Sequence, residues 1–128
     1  MKRILALFLL LILFSGCSSK SEIVDDGNPG LIMVVTFLDE NNNGIYEKNE
    51  PAISDKVGIS QDVSCPPGNM DLVTKAETNI DGEAVFEDLE PGVYCVMYLG
   101  SRGSTTKLTL EIELSSEQQI RMELGLTE

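Results

Sequence analysis

Short segments in which apolar and polar residues alternate follow one another along most of this chain. The clearest is 105–114, where Leu108, Leu110, Ile112 and Leu114 are separated by polar residues. Alternation with a period of two is typical of a β-strand with one buried face. The same criterion predicts seven strands in all, and these cover residues 31–38, 56–63, 72–78, 83–89, 93–99, 105–114 and 119–126.

Turn-forming residues separate most of the predicted strands. The sequence has Pro66-Pro67-Gly68 before the third strand, Asp81-Gly82 before the fourth and Pro91-Gly92 before the fifth. We interpret Asp81-Gly82 as a hairpin turn, because this dipeptide favours the tight turns that join adjacent strands. No segment combines the length of a core helix with a 3.6-residue apolar stripe. The pattern therefore predicts an all-β fold, a seven-stranded antiparallel β-sandwich.

The N-terminus has the features of an export signal. Lys2 and Arg3 precede the apolar run 4–14, whose eleven residues are too few for a helix that crosses a hydrocarbon core of roughly 30 Å. Ser15 and Gly16 then precede Cys17, an arrangement that resembles a lipobox, in which the cysteine thiol receives a diacylglyceryl group. We predict a lipoprotein signal peptide over residues 1–16; ordinary secretory cleavage is the alternative.

Residues 17–29 are predominantly polar and are predicted to tether the lipidated Cys17 to a folded domain at 30–126. Acyl chains anchor a protein by burying methylenes at about 0.8 kcal/mol each, so no inserted segment is needed. Ser18 follows the cysteine, which favours the outer membrane in a diderm cell. In a monoderm cell the anchor would lie in the outer face of the plasma membrane.

The charge of the chain limits its partners. All 21 acidic residues follow Cys17 and two of the nine basic residues precede it, so the mature chain carries 21 acidic against seven basic residues, a formal net charge of −14. Such a charge repels nucleic acid and anionic lipid surfaces and attracts divalent cations. We therefore expect no nucleic-acid partner.

Two cysteines remain once Cys17 is lipidated. Cys65 and Cys95 lie in different predicted elements, and leftover cysteines in an oxidising compartment commonly pair. A bridge would close a loop of about 30 residues. The alternative is two unpaired thiols, since the sequence does not show whether their Cα atoms come within reach.

The loop after the first predicted strand has the spacing of a twelve-residue calcium loop. It runs from Asp39 to Glu50 and satisfies the pattern D-x-[DN]-x-[DN]-G-x5-E. Ca²⁺ takes six to eight oxygen ligands, and Gly44 permits the sharp turn that this geometry requires. The predicted ligands are the side chains of Asp39, Asn41, Asn43, Glu47 and Glu50 and the main-chain carbonyl of Ile45.

The flanks of this loop argue against a calcium sensor. A strand is predicted before it, and Pro51 blocks a helix immediately after it, so no pair of helices is available to open and close. We expect Ca²⁺ to hold the loop in one shape, with an affinity on the order of 10⁻⁵–10⁻³ M because two ligands are neutral asparagines. The alternative is an Asx-rich turn without a metal.

Two stretches resemble an SdrD B-like repeat of bacterial surface adhesins. The first comprises Val35 to Asp39, the loop to Pro51, and Val57-Gly58-Ile59; the second is the Gly, Phe, Leu, Pro-Gly, Tyr and Val series within 78–96. Cna B-type and carboxypeptidase-regulatory-like domains share the second stretch. The resemblance implies a prealbumin-like or immunoglobulin-like sandwich with structural calcium that serves as a spacer or stalk.

Several common kinds of catalytic site are excluded by the sequence. Histidine is absent, which excludes histidine-based triads and imidazole zinc sites, and no glycine-rich phosphate loop occurs. We predict a non-enzymatic cell-envelope lipoprotein with a structural, adhesive or protein-interaction role and an envelope or extracellular protein partner. The alternatives are a carbohydrate-binding module, which the lack of tryptophan disfavours and a glycan array would test, and an accessory subunit of an envelope complex.

Overall fold

The computed structural model describes residues 27–61 and 64–128, and these form two packed β-sheets. The predicted signal peptide, Cys17 and most of the predicted tether lie outside the described residues. A short 3₁₀ turn spans Met70–Leu72. The strands are β1 (Gly30–Leu38), β2 (Lys56–Ser60), β3 (Thr74–Glu77), β4 (Glu83–Leu89), β5 (Gly92–Tyr98), β6 (Thr109–Leu114) and β7 (Gln119–Leu126).

The sheets have the strand orders β4-β1-β7 and β3-β2-β5-β6. The all-β, seven-stranded sandwich is therefore confirmed. One pair departs from the antiparallel expectation, because β7 runs parallel to β1, from Leu31 opposite Gln119 to Leu38 opposite Leu126. The reason is topological: β7 enters its sheet after the chain crosses from β6 in the other sheet, so no tight hairpin imposes an antiparallel direction.

The main core lies between the sheets and is built from alternate residues of their strands. Ala84 and Phe86 of β4 face inward as the alternation predicts. So do Tyr94 and Val96 of β5. The buried members of this core are Ile32, Val34, Val57, Ile59, Ala84, Phe86, Tyr94, Val96, Tyr98, Leu114, Met122, Leu124 and Leu126.

Four local predictions were wrong. The second strand was predicted over residues 56–63, but β2 ends at Ser60 and Gln61 lies outside it. Residue 72 belongs to the 3₁₀ turn rather than to β3, and residues 105–108 are a connection rather than the start of β6. Asp81-Gly82 is not a hairpin turn, because β3 and β4 lie in different sheets and the turn carries the chain between them. The main-chain N–H of Thr36 donates to the Gly82 carbonyl at 2.7 Å, which holds this crossing against β1.

Each sheet also buries apolar residues on its outer face. On the four-stranded sheet, Val73, Cys95 and Met97 form a small second cluster, with Cys65 and Leu99 packed against it. On the three-stranded sheet, Val35 and Phe37 are fully buried although they point away from the main core. Connecting segments therefore cover part of both outer faces. Within residues 27–61 and 64–128, no helix is long and apolar enough to cross a bilayer.

Candidate metal centre

The predicted calcium loop folds back over the outer face of the three-stranded sheet. Its ends are held together where the N–H of Leu38 donates to the Pro51 carbonyl at 2.8 Å. The ring of Tyr46 lies against that of Phe37, with centroids 4.9 Å apart and planes tilted by 32°. The N–H of Tyr46 donates to Glu123 Oε2 at 3.3 Å, which ties the loop to β7. The loop is thus the cover of this outer face.

Asp39, the first predicted ligand, is 3% exposed and directs its carboxylate into the loop. Its Oδ1 accepts the N–H of Asn43 at 3.2 Å, and its Oδ2 accepts the N–H of Gly44 at 2.7 Å and the hydroxyl of Thr105. Desolvation by burial raises the pKa of Asp39, but the hydrogen bonds from Thr105, Gly44 and Asn43 outweigh it and the pKa is lowered. The site therefore favours an ionised Asp39.

The two asparagine ligands are oriented by the backbone that follows them. The Oδ1 of Asn41 accepts the N–H of Asn43 at 3.1 Å, and the Oδ1 of Asn43 accepts the N–H of Ile45 at 2.9 Å. Asn42 and Gly44 adopt φ angles of 59° and 74°, which wrap the chain tightly at this point. Gly44 thus makes the sharp turn that was predicted from the loop spacing.

Glu50 closes the loop from its other end. It is 4% exposed, its Oε1 accepts the N–H of Glu40 at 3.2 Å, and its Oε2 accepts the N–H of Glu47 at 3.0 Å. The Oε2 of Glu47 accepts the side-chain amide of Asn41, so these two predicted ligands contact each other directly. A hydrogen-bond contribution from the Glu50 side chain is the smallest of the causes that lower the Asp39 pKa.

The chemistry of this donor set suits a hard cation. Asp39 and Glu50 are the two buried acidic residues in the described part of the chain, and neither carboxylate lies in an ion pair with a lysine or arginine there. Facing carboxylates buried without a counter-ion are unfavourable, and a divalent cation would neutralise them. Asp, Glu, Cys and His side chains alone form no metal-binding group of three or more among the described residues. Such a group would not include the whole predicted ligand set, because three of its six ligands are asparagine amides and a main-chain carbonyl.

Three residues that support the loop were not predicted from the sequence. Tyr46 packs on Phe37, Glu123 of β7 accepts a loop N–H, and Thr105 donates to Asp39 from the connection between β5 and β6. Thr105 and Glu123 are distant in sequence, and no local pattern distinguishes them from other surface residues. Only the stacking of Tyr46 on Phe37 follows a signal in the loop, since an aromatic residue is unusual in a polar segment.

The other predicted sites lie apart from the loop. Cys65 and Cys95 form a disulfide, with Cα atoms 5.4 Å apart, on the outer face of the four-stranded sheet. The bridge joins the segment before β3 to β5. The sequence left open whether these cysteines pair or stay as thiols, and in the structure they are paired. Cys17, the predicted lipidation site, lies outside the described residues.

Comparison with proteins of known structure places the fold among domains of bacterial pili. The pilus 2b backbone protein of group B streptococcus superposes with a TM-score of 0.55 at 10% identity over 77% of this chain and 41% of that chain. The streptococcal ancillary pilin superposes with a TM-score of 0.55 at 9% identity, over 80% of this chain and 33% of that chain. The major pilin SpaD of Corynebacterium diphtheriae superposes with a TM-score of 0.54 at 15% identity, over 79% of this chain and 32% of that chain. The chain has a pilin-like β-sandwich fold.

Sequence relatives add little to this conclusion. No family model matches the chain. Colossin-A of Dictyostelium discoideum is 31% identical over 74 residues, which cover 54% of this chain but 1% of that protein. The chain spans less than half the length of the pilins compared above, and the low identities establish the fold alone.

Proposed function

We propose that this chain is a non-enzymatic, exported lipoprotein whose pilin-like sandwich is stabilised by Ca²⁺ and serves a structural, adhesive or protein-interaction role in the cell envelope. The observation that carries the proposal is the loop from Asp39 to Glu50. Its buried carboxylates and asparagine oxygens are oriented by main-chain N–H groups, and it covers Phe37 on the outer face of the sandwich. The SdrD B-like resemblance and the pilin folds support a surface role.

The proposed ion would be held by the side chains of Asp39, Asn41, Asn43, Glu47 and Glu50 and by the Ile45 carbonyl. Bound Ca²⁺ supplies positive charge to the two buried carboxylates and needs no catalytic step. The loop would then be rigid in the conformation that packs Tyr46 on Phe37. The role proposed for Ca²⁺ is therefore structural: it holds the connection between β1 and the segment that leads to β2 in one conformation.

Calcium is expected to stabilise the full chain against heat. At free Ca²⁺ about tenfold above the dissociation constant, chelation should lower the free energy of unfolding by roughly 1.4 kcal/mol, which is on the order of 5–10 °C for a domain of this size. Calorimetric titration should show saturable binding. Melting curves in calcium and in chelator measure the stabilisation.

Substitutions distinguish loss of a calcium ligand from a change in the net charge of the protein. Asp39→Ala and Glu50→Gln should each abolish the difference between the two melting curves. Asp81→Asn removes one charge from the exposed turn before β4 and should leave that difference intact. Absence of binding heat and of any calcium-dependent shift in the parent protein would refute the metal site.

Lipidation of Cys17 is tested separately in a bacterial host. Cys17→Ser should abolish incorporation of labelled fatty acid and move the protein from the membrane fraction to the soluble exported fraction, because no other acyl acceptor is proposed. Cys65→Ser, which removes a cysteine outside the lipobox, should keep the label. A membrane-bound, labelled Cys17→Ser protein would contradict the proposed anchor.

A further inference from the structure

The strand β6 forms a free edge of the four-stranded sheet. Among the described residues it pairs with β5 on one side only. The N–H of Tyr98 donates to the Leu108 carbonyl at 2.8 Å, which shows that the pair Tyr98 and Leu108 is a hydrogen-bonded one. Because antiparallel pairs alternate, the even-numbered residues of β6 hydrogen-bond with β5, and the main-chain groups of Thr109, Glu111 and Glu113 point away from the sheet. This edge can therefore accept another strand.

The side chains of β6 differ sharply between its two faces. Glu111 and Glu113 are exposed on the outer face. Leu110 and Ile112 belong to the inner face, yet Leu110 is 37% exposed although its neighbour in register, Val96, is fully buried. The apolar inner face is thus incompletely covered where β6 ends the sheet.

A second apolar residue is exposed at the far end of the same strand pair. Val93 of β5 lies opposite Glu113 and is 46% exposed. A groove of about 370 Å³ opens there, lined in part by Pro91, Val93 and Glu113. An exposed valine therefore lies beside Glu113 on the outer face, next to the edge strand.

The net charge decides which kind of strand could dock. Seven basic against 21 acidic residues after Cys17 give the mature chain a formal charge of −14. Screening at physiological salt acts over about 8 Å, so a second copy or an acidic strand that approaches Glu111 and Glu113 is repelled at contact. A basic segment is attracted and oriented by the same field.

We infer that the free edge of β6 binds an extended segment of a partner protein in which lysine or arginine alternates with apolar residues. Main-chain hydrogen bonds form with Thr109, Glu111 and Glu113. The basic side chains fall on the outer face beside the two glutamates, and the apolar side chains cover Leu110 and Ile112 on the inner face. The inference deepens the proposed interaction role by naming its contact surface.

Strand addition is tested with the full chain and a short synthetic peptide in which lysine alternates with valine. The parent protein should bind it saturably, and amide resonances of β6 should shift. A peptide of the same composition with its lysines in one block carries the same charge without the alternation, and it should bind about tenfold more weakly. Equal binding of both peptides would overturn the inference.

Two variants locate the contact. Glu111→Pro removes an outward N–H, leaves the ladder to β5 intact, and should weaken peptide binding about tenfold. Glu111→Gln with Glu113→Gln should weaken binding and reduce its salt dependence. Glu87→Gln with Asp88→Asn makes the same charge change on β4 and should leave binding near the parent value.

The rival role of Glu111 and Glu113 is to prevent sheet edges from pairing at all. In that case the parent would not bind the alternating peptide, and the double glutamine variant would self-associate. Dimerisation of the parent without peptide, measured by sedimentation, would identify a second copy as the occupant and would also overturn the inference. None of these results depends on calcium, so they are distinguishable from failure of the proposed metal site.

Discussion

Phe37→Ala is expected to lower the free energy of unfolding by about 3–5 kcal/mol, the range for truncation of a fully buried phenylalanine. The ring is completely buried on the outer face of β1, where it packs on Tyr46 of the candidate calcium loop. Its loss removes the surface on which the loop rests. The substitution should therefore also weaken calcium binding, which calorimetry measures alongside denaturant unfolding.

Phe86→Ala is the matched control for this result. Phe86 is buried in the main core between the sheets, so its truncation should destabilise the domain comparably. Because it is separate from the loop, calcium affinity in the folded variant should stay near that of the parent. If alanine at 37 prevents folding, Phe37→Leu provides a milder test. Unchanged calcium affinity in folded Phe37 variants would show that loop packing and ion binding are independent.

Loss of the disulfide should have a comparable effect on stability. Cys65 and Cys95 are separated by 30 residues. In the chain-entropy account, a bridge of this span contributes roughly 3–4 kcal/mol by restricting the unfolded chain. The double substitution Cys65→Ser with Cys95→Ser should therefore lower the free energy of unfolding by about that amount. Denaturant unfolding of parent and variant measures the change.

The calcium site supplies an internal control for the disulfide prediction. The bridge lies on the outer face of the four-stranded sheet, whereas the candidate loop covers the other sheet. The serine variant should keep its calcium binding heat while the fold persists. Reductant should lower the melting temperature of the parent and leave that of the double variant unchanged. Equal stability of parent and variant would refute the prediction.

Strand positions could be predicted because they depend on local chemistry. The limits 83–89 and 119–126 agree with β4 and β7, where alternation is clear and turns flank the strands. The 105–114 prediction began too early because the alternation of apolar and polar residues starts only at Leu108. Thr105 hydrogen-bonds with Asp39 instead of continuing the ladder. Alternation shows which face a residue occupies and does not show how far a partner strand extends.

Part of the candidate metal centre could likewise be predicted from the sequence, and part of it could not. The spacing of Asp39, Asn41, Asn43 and Glu50 was readable because each is oriented mainly by N–H groups within the loop itself. The contacts of Thr105 and Glu123 with the loop could not be predicted, since they depend on how two distant segments pack beside it. Calcium binding itself stays a prediction.

The sequence by itself determined the β-class of the domain, most strand positions, the Asp39–Glu50 spacing and the acidic net charge, because these follow from the composition and the order of neighbouring side chains. Only the tertiary structure decided the parallel pairing of β7 with β1, the burial of Phe37 beneath the loop and the free edge at β6. The physical reason is that a period of two assigns side chains to faces, whereas strand neighbours and the covering of outer faces result from long-range packing.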